Sequence, residues 1–220
     1  MRALVVLNGD QRGSDRWLAA VAAASDLIVA ADGAAAKLDR AGVRPHLVVG
    51  DLDSIAADLR ASLETAGVAI ERHPTGKDRT DAELAIAAAV WRGADVVRVV
   101  GAFGGDRIDH AVANLLLLAL ADFAAVDLRL DTEHATIRRV AGPGALAIDG
   151  VAGDYVTLEP LSEVACGVRS DGLRYPLRGE DLVRGSSRGV SNELIGPDAK
   201  VELRDGLLLV AIQRRSVPSG

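Results

Sequence analysis

Two carboxylates stand one residue apart in the run Gly50-Asp51-Leu52-Asp53-Ser54. Carboxylates this close repel one another unless a cation joins them. Magnesium suits that position, because it takes oxygen ligands, binds few carboxylates and completes its shell with water and phosphate. A plainer role is open too, since Asp53 and Ser54 can cap a following helix. Asp81 reads either as a third metal ligand or as a first-turn residue favoured by a helix dipole. Lys77 and Arg107 are natural partners for phosphate oxygens, the first as a point charge and the second as a two-pronged donor. Gly101, Gly104 and Gly105 would let a backbone approach a polyphosphate closely, ahead of a helix N-terminus, although three glycines also make an ordinary turn.

Other chemistries lack their residues. Gly76-Lys77 is followed by Asp78 and lacks the earlier glycine of a P-loop, and no G-x-G-x-x-G opens the first helix. No serine is read as sitting in a G-x-S-x-G nucleophile elbow. The histidines, His46, His73, His110 and His134, are scattered without zinc spacing. His110, beside Asp109, either touches a phosphate or simply begins a helix.

The elements that must position these groups alternate strand and helix. Ala3–Leu7 reads as a buried strand, and Ser14 can cap an Ala-rich helix running to about Ala24. Leu27–Ala31 is the next strand, followed by a helix over Ala34–Ala41 that Gly42 stops. Then come strand Leu47–Val49, helix Ile55–Ala66 ended by Gly67, and strand Val68–Glu71. Thr80-Asp81-Ala82-Glu83 matches a capping box opening a helix to Trp91. Strand Val96–Val100, helix Asp109–Asp122 and strand Val126–Leu130 complete the series. Apolar strands alternating with helices imply parallel βαβ units with helices on both faces. In such a sheet ligands bind beyond the carboxyl ends of the strands. Asp32-Gly33, the Asp51/Asp53 pair, Lys77 with Asp81, and Arg107 with Asp109 all follow strands in this way, so four loops bring charge to one edge.

Beyond about Glu133 the helix-length periodicity stops. Short runs (Ala145–Ile148, Tyr155–Leu158, Val201–Leu203, Leu207–Ile212) are separated by Gly, Pro, Asp and Ser, which reads as a small all-β domain. The expected architecture is therefore a parallel-sheet α/β/α domain over residues 1–133 and a β-sandwich over 134–220, with a frayed tail at 216–220.

Bulk composition narrows the partners. Hydrophobic residues make up 49% of the 220 and aromatics only 3%, so the core is built of Ala, Val, Leu and Ile, without stacking platforms for nucleic acid. Lys and Arg number 25 against 31 Asp and Glu, a net charge of −6 that repels a polyphosphate backbone. ATP remains compatible, because a metal ion cancels its charge locally. The single cysteine, Cys166, forms no disulfide within the chain and fits a reducing cytoplasm. The apolar N-terminal stretch before Asn8-Gly9-Asp10 is too short for a signal peptide, and the longest apolar run, Ala111–Ala121, is broken by Asn114 and too short to span a membrane.

The ordered set Asp32-Gly33-Ala34, Pro45 through Ser54, Lys77-Asp78-Arg79-Thr80-Asp81 and Gly104 through His110 resembles the motifs of the thiamine pyrophosphokinase family. So do Gly172-Leu173-Arg174-Tyr175-Pro176-Leu177, Gly185-Ser186-Ser187 and Gly189-Val190-Ser191-Asn192-Glu193. The resemblance implies an ATP-binding catalytic domain followed by a thiamine-binding sandwich. It also implies a homodimer in which one chain's sandwich completes the other's site. Carried over by position, Asp51, Asp53 and Asp81 would hold Mg2+. Asp32, Gly33, Lys77, Thr80, Gly104, Gly105, Arg107 and Asp109 would meet ATP. Ser187, Ser191 and Asn192 would meet thiamine, although Ser191-Asn192 also suits a plain turn. One departure is visible: the family places Arg directly after the paired glycines, whereas Asp106 here separates Gly105 from Arg107. A related pyrophosphokinase for another alcohol, such as a pterin, and a non-catalytic nucleotide sensor are the alternatives.

Overall fold

The computed structural model describes residues 1–10 and 13–215. The expected frayed tail lies outside the described residues. The chain forms two units, Met1–Glu133 and His134–Gly220.

The first unit carries six strands: β1 Arg2–Val6, β2 Leu27–Ala31, β3 Leu47–Gly50, β4 Ala69–Arg72, β5 Val96–Val100 and β6 Asp127–Asp131. All pair in parallel, in the order β6-β5-β1-β2-β3-β4. Five helices connect them: α1 Asp15–Ala23, α2 Ala35–Arg40, α3 Ala57–Thr65, α4 Asp81–Trp91 and α5 Ile108–Leu116. Because side chains alternate along a strand, β1–β3 bury two sets of apolar residues. One set, with Leu4, Val6, Ile28, Ala30 and Val48, packs with Leu18 and Val21 of α1, Leu38 of α2 and Leu63 of α3. α4 lies against β1, β2 and β3 through other residues, with Ala82, Ala85, Ile86 and Ala89 buried. Helices therefore cover both faces of a sheet whose inner strands β1, β2 and β3 are almost wholly buried.

Local signals explain the helix ends. Ser14 Oγ accepts the Trp17 N–H at 3.1 Å, and Thr80 Oγ1 accepts that of Glu83 at 3.2 Å. The capping box is only half made, since Glu83 turns its carboxylate to Arg79 at 3.3 Å. Asp53 and Ser54 do not cap α3; Ala56 occupies that N-cap. The helix expected over Asp109–Asp122 ends at Leu116 and gives way to 3-10 turns at Leu117–Ala119 and Ala121–Phe123. A straight helix would spread Leu117, Leu118 and Phe123 around its circumference; the break lets all three be buried.

The second unit is antiparallel. Its strands are β7 Ala135–Ala141, β8 Gly144–Ile148, β9 Tyr155–Pro160, β10 Val164–Asp171, β11 Arg178–Val183, β12 Asn192–Glu193, β13 Ala199–Leu203 and β14 Leu207–Gln213. Four are ordered β12-β9-β14-β7 and four β11-β10-β13-β8. Val156, Leu158, Leu208 and Val210 from the first group meet Val168, Leu182, Val201 and Leu146 from the second in one core, which makes a sandwich. Among the described residues no helix is long and apolar enough to cross a membrane.

Candidate active site

The parallel sheet reverses direction at β1: β2, β3 and β4 extend to one side, β5 and β6 to the other. Such a switch point splays the flanking loops apart and opens a crevice at the carboxyl ends of the strands. A cavity of about 360 Å³ occupies that place. Its walls come from Leu7, Asn8 and Gly9 after β1, Ala31 and Asp32 at the end of β2, and the glycine loop and one face of α5 after β5 (from Gly101 and Ala102 to Ala111 and Asn114), with Ser54, Asp81 and Ala82.

Of the residues expected from sequence, Asp32, Asp81, Gly104, Gly105 and Arg107 line the cavity. Asp51, Asp53, Lys77 and Thr80 stand in neighbouring loops and Asp109 in the first turn of α5 without forming its wall, and Gly33 is buried in the 3-10 turn Asp32–Ala34. Gly50 brings two of the acids together. A Cβ there would lie 2.8 Å from Asp32 Cβ and 3.3 Å from Asp81 Oδ1, and its φ of +153° disfavours any side chain. Gly104, at φ +79°, passes so close to Asp10 that a Cβ would come within 2.5 Å of the Asp10 Cβ. The glycine loop after β5 is thus held against the loop after β1.

Several charges already have partners. Lys77 Nζ donates to Asp81 Oδ1 at 2.5 Å. Arg107 grips Asp109 through two bonds, Nε to Oδ1 at 2.9 Å and Nη2 to Oδ2 at 2.6 Å. That grip holds the Asp109 carboxyl down to about 2 and raises Arg107 above its ordinary value. Lys37, which the sequence reading passed over, donates to the Leu7 carbonyl at 3.3 Å and to the Gly9 carbonyl, bracing the loop after β1. Burial lowers its pKa. Asp51 Oδ1 accepts the Asp53 N–H at 3.2 Å, a local turn that leaves the Asp53 side chain exposed. The added Asp106 is exposed and lines the cavity beside Gly105.

Two buried oxygens in this cavity have no hydrogen-bond partner among the described residues: Oδ1 of Asp32 and Oδ1 of Asn114. Asp32 is 9% exposed and sits at a φ of +47°, a left-handed conformation that costs a non-glycine residue energy and gathers at functional sites. No three His, Cys, Asp or Glu side chains among the described residues are grouped to hold a metal ion by themselves. The donor set nevertheless fits a hard cation that shares its shell with phosphate: all the candidates are carboxylates, and Asp32 Oδ1 has no partner among the described residues.

In the sandwich, Ser187 is exposed at the start of a 3-10 turn, and the Ser191 N–H, at a φ of +61°, donates to Thr157 Oγ1 at 3.3 Å. Asn192 is buried. Its Oδ1 accepts the N–H groups of Tyr175 at 3.0 Å and Glu193 at 2.9 Å, and its Nδ2 donates to the Tyr175 carbonyl at 2.7 Å. It fastens the turn that displays Tyr175. The sequence reading overlooked one G-x-S-x-G spacing, Gly185-Ser186-Ser187-Arg188-Gly189, but it joins strand β11 to strand β12 and no α-helix follows, so it is not a nucleophile elbow.

Comparison with known proteins agrees along most of the chain. Residues 18–130 match the thiamin pyrophosphokinase catalytic domain, and residues 145–208 match the thiamin pyrophosphokinase vitamin B1 binding domain. Thiamine pyrophosphokinase of Bacillus subtilis is 30% identical over 171 residues, 77% of this chain and 79% of that protein. The crystal structure of thiamine pyrophosphokinase from Bacillus subtilis superposes with a TM-score of 0.85 at 26% identity, over 98% of this chain and all of that one. That from Geobacillus thermodenitrificans gives 0.83 at 28% identity, covering 100% of this chain and 99% of that one.

Proposed function

The chain belongs to the thiamin pyrophosphokinase family and is an enzyme of thiamine diphosphate formation, and we propose that it takes the diphosphate from magnesium-bound ATP, leaving AMP. The observation that carries this reading is the switch-point cavity, where Asp32, Asp81, the paired glycines and Arg107 meet.

The chemistry follows from charge. The hydroxyl oxygen of thiamine attacks the β-phosphorus of ATP and loses its proton. The bond from β-phosphorus to the bridging oxygen breaks, and AMP leaves with the electron pair. Such transfer needs alignment and charge neutralisation more than covalent help. Arg107 offers a planar fork to phosphate oxygens once it shares or exchanges its Asp109 partner, and Lys77 adds a point charge beside Asp81. Backbone at Gly104 and Gly105 approaches without side chains in the way. Asp51, Asp53 and Asp81 would hold magnesium, which when bound offsets polyphosphate charge and draws electrons from phosphorus. Asp32, Gly33, Thr80 and Asp109 complete the ATP contacts in this reading. Ser187, Ser191 and Asn192 belong to the thiamine side, Asn192 chiefly by fixing the Tyr175 turn. The 1–133 unit is then the catalytic domain and the 134–220 unit the thiamine-binding domain.

The same reading makes the protein a cytoplasmic homodimer. The lone Cys166 and the use of ATP support the compartment. Ile108, Val112 and Leu116 of α5 support the dimer: spaced four apart, they form an apolar stripe and are 80%, 54% and 55% exposed.

The test is direct. With ATP, magnesium and thiamine, AMP and thiamine diphosphate form in equal amounts; chelation stops both and added magnesium restores them. ATP binding without AMP release sinks the proposal in favour of a sensor, and AMP released with a pterin alcohol but not with thiamine reassigns the substrate. Asp53→Asn should slow AMP formation by at least the roughly tenfold that losing even an indirect metal partner costs. Its melting temperature should be unchanged, because Asp53 is exposed and caps no helix.

A further inference from the structure

We propose that Asn114 reads a hydrogen-bond donor on the nucleoside part of the nucleotide and thereby sets which nucleotides the cavity accepts. The inference rests on the reading of this cavity as the ATP site.

Asn114 is the one buried side chain of α5, 6% exposed, in an otherwise apolar stretch. Its Nδ2 donates to the Ala102 carbonyl at 2.9 Å. That bond fixes the amide, because only the NH2 end can face a carbonyl. The Oδ1 end then has one orientation available, and it has no partner among the described residues. Asn114 also lines the cavity, so a ligand there can reach it. A buried acceptor without a donor costs stability, and a ligand that supplies the donor recovers it on binding.

The kind of ligand group follows. Phosphate oxygens of ATP are acceptors at neutral pH, so Asn114 Oδ1 would repel them. The donors on ATP are its ribose hydroxyls and the amino group of adenine. The layout of α5 agrees. Arg107, His110, Ala111 and Asn114 all line the cavity, at spacings that put them on one face of the helix. Arg107 stands at the helix entrance and Asn114 about 10 Å further along the axis. A nucleotide whose phosphates meet Arg107 would carry its nucleoside towards Asn114.

The experiment is a cycle of nucleotide against variant, read as dissociation constants with magnesium present. Wild type and Asn114→Ala are titrated with ATP, 2′-deoxy-ATP, 3′-deoxy-ATP and the triphosphate of purine riboside, which lacks the amino group. At least one analogue should bind wild type about fivefold to tenfold more weakly than ATP, while Asn114→Ala no longer distinguishes that pair. The analogue affected identifies the donor. If Asn114→Ala weakens all four nucleotides in parallel, or none, the proposal is overturned; the same holds if wild type binds all four equally. Should Asn114→Ala fail to fold, Asn114→Leu, of nearly the same shape, takes its place. Failure of wild type to bind ATP at all would overturn the functional reading as well.

Discussion

Arg107 is not a free cation waiting for phosphate. Its two bonds to Asp109 are short, and they hold that carboxyl ionised down to about pH 2. The folded value lies below the ordinary carboxyl value of about 4. The pair's contribution to stability is therefore complete above about pH 4 and is lost as pH falls through about 2. Urea unfolding of wild type and Asp109→Asn should show a constant gap from neutrality to about pH 4 that closes towards pH 2; a gap closing near pH 6 would mean another group controls it. Both partners are exposed, so the gap is small. Lys37 makes a second case. With Met in its place, the carbonyls of Leu7 and Gly9 lose their common donor. Lys37→Met should weaken ATP binding by roughly fivefold or more through a loosened loop, measured by calorimetry. Residue type and spacing singled out Asp32, Asp81 and Arg107, which line the cavity, and also Asp51 and Asp53, which do not. Asn114 and Lys37 were not singled out, because the sequence marks a polar residue in an apolar run without showing which carbonyl it faces.

At the scale of elements, legibility followed burial. β1, β2 and β3 are buried on both sides almost throughout and read as apolar runs. β7 (Ala-Thr-Ile-Arg-Arg-Val-Ala) and β11 (Arg-Gly-Glu-Asp-Leu-Val) went unrecognised, because their partly exposed faces carry charge and resemble loops. β10 is harder still, since its register slips between Ala165 and Val168 and breaks the alternation. The end of α5 was missed because Leu and Ala favour helix everywhere, while the turn after Leu116 answers to burial. One element pair carries its own test. Asp131 at the end of β6 is 2% exposed, and its Oδ2 accepts from Arg98 Nε of β5 at 2.6 Å. Arg98→Met strands a buried carboxylate. It should cost about 2–3 kcal/mol in urea unfolding, below the roughly 3–5 kcal/mol of a fully buried pair, because Arg98 remains a third exposed. Arg98→Met combined with Asp131→Leu should recover most of the loss; if the double variant is the less stable, the carboxylate has support beyond Arg98.

At the scale of the whole molecule, the change from helical to short-strand periodicity near Glu133 was plain in the sequence, because each half buries its core by a different rule: strand against helix in one, sheet against sheet in the other. Association was not readable in this way, since an exposed apolar stripe becomes visible only when the helix carrying it has been placed. Ile108, Val112 and Leu116 are that stripe, and polar solvent is a poor neighbour for three large apolar side chains in a row. If a second copy covers them, charge there should separate the copies without harming the fold, because exposed positions tolerate substitution. Val112→Lys with Leu116→Lys leaves Arg107, His110 and Asn114 in place. Light scattering should then give a mass near the 22.8 kDa of one chain, against twice that for the wild type, with unchanged melting of the separated chains. Thiamine diphosphate formation should fall with the dimer, because the proposed arrangement has each sandwich complete its partner's site. A wild type that is already monomeric at micromolar concentration, or a double variant that stays dimeric, would remove α5 from the association.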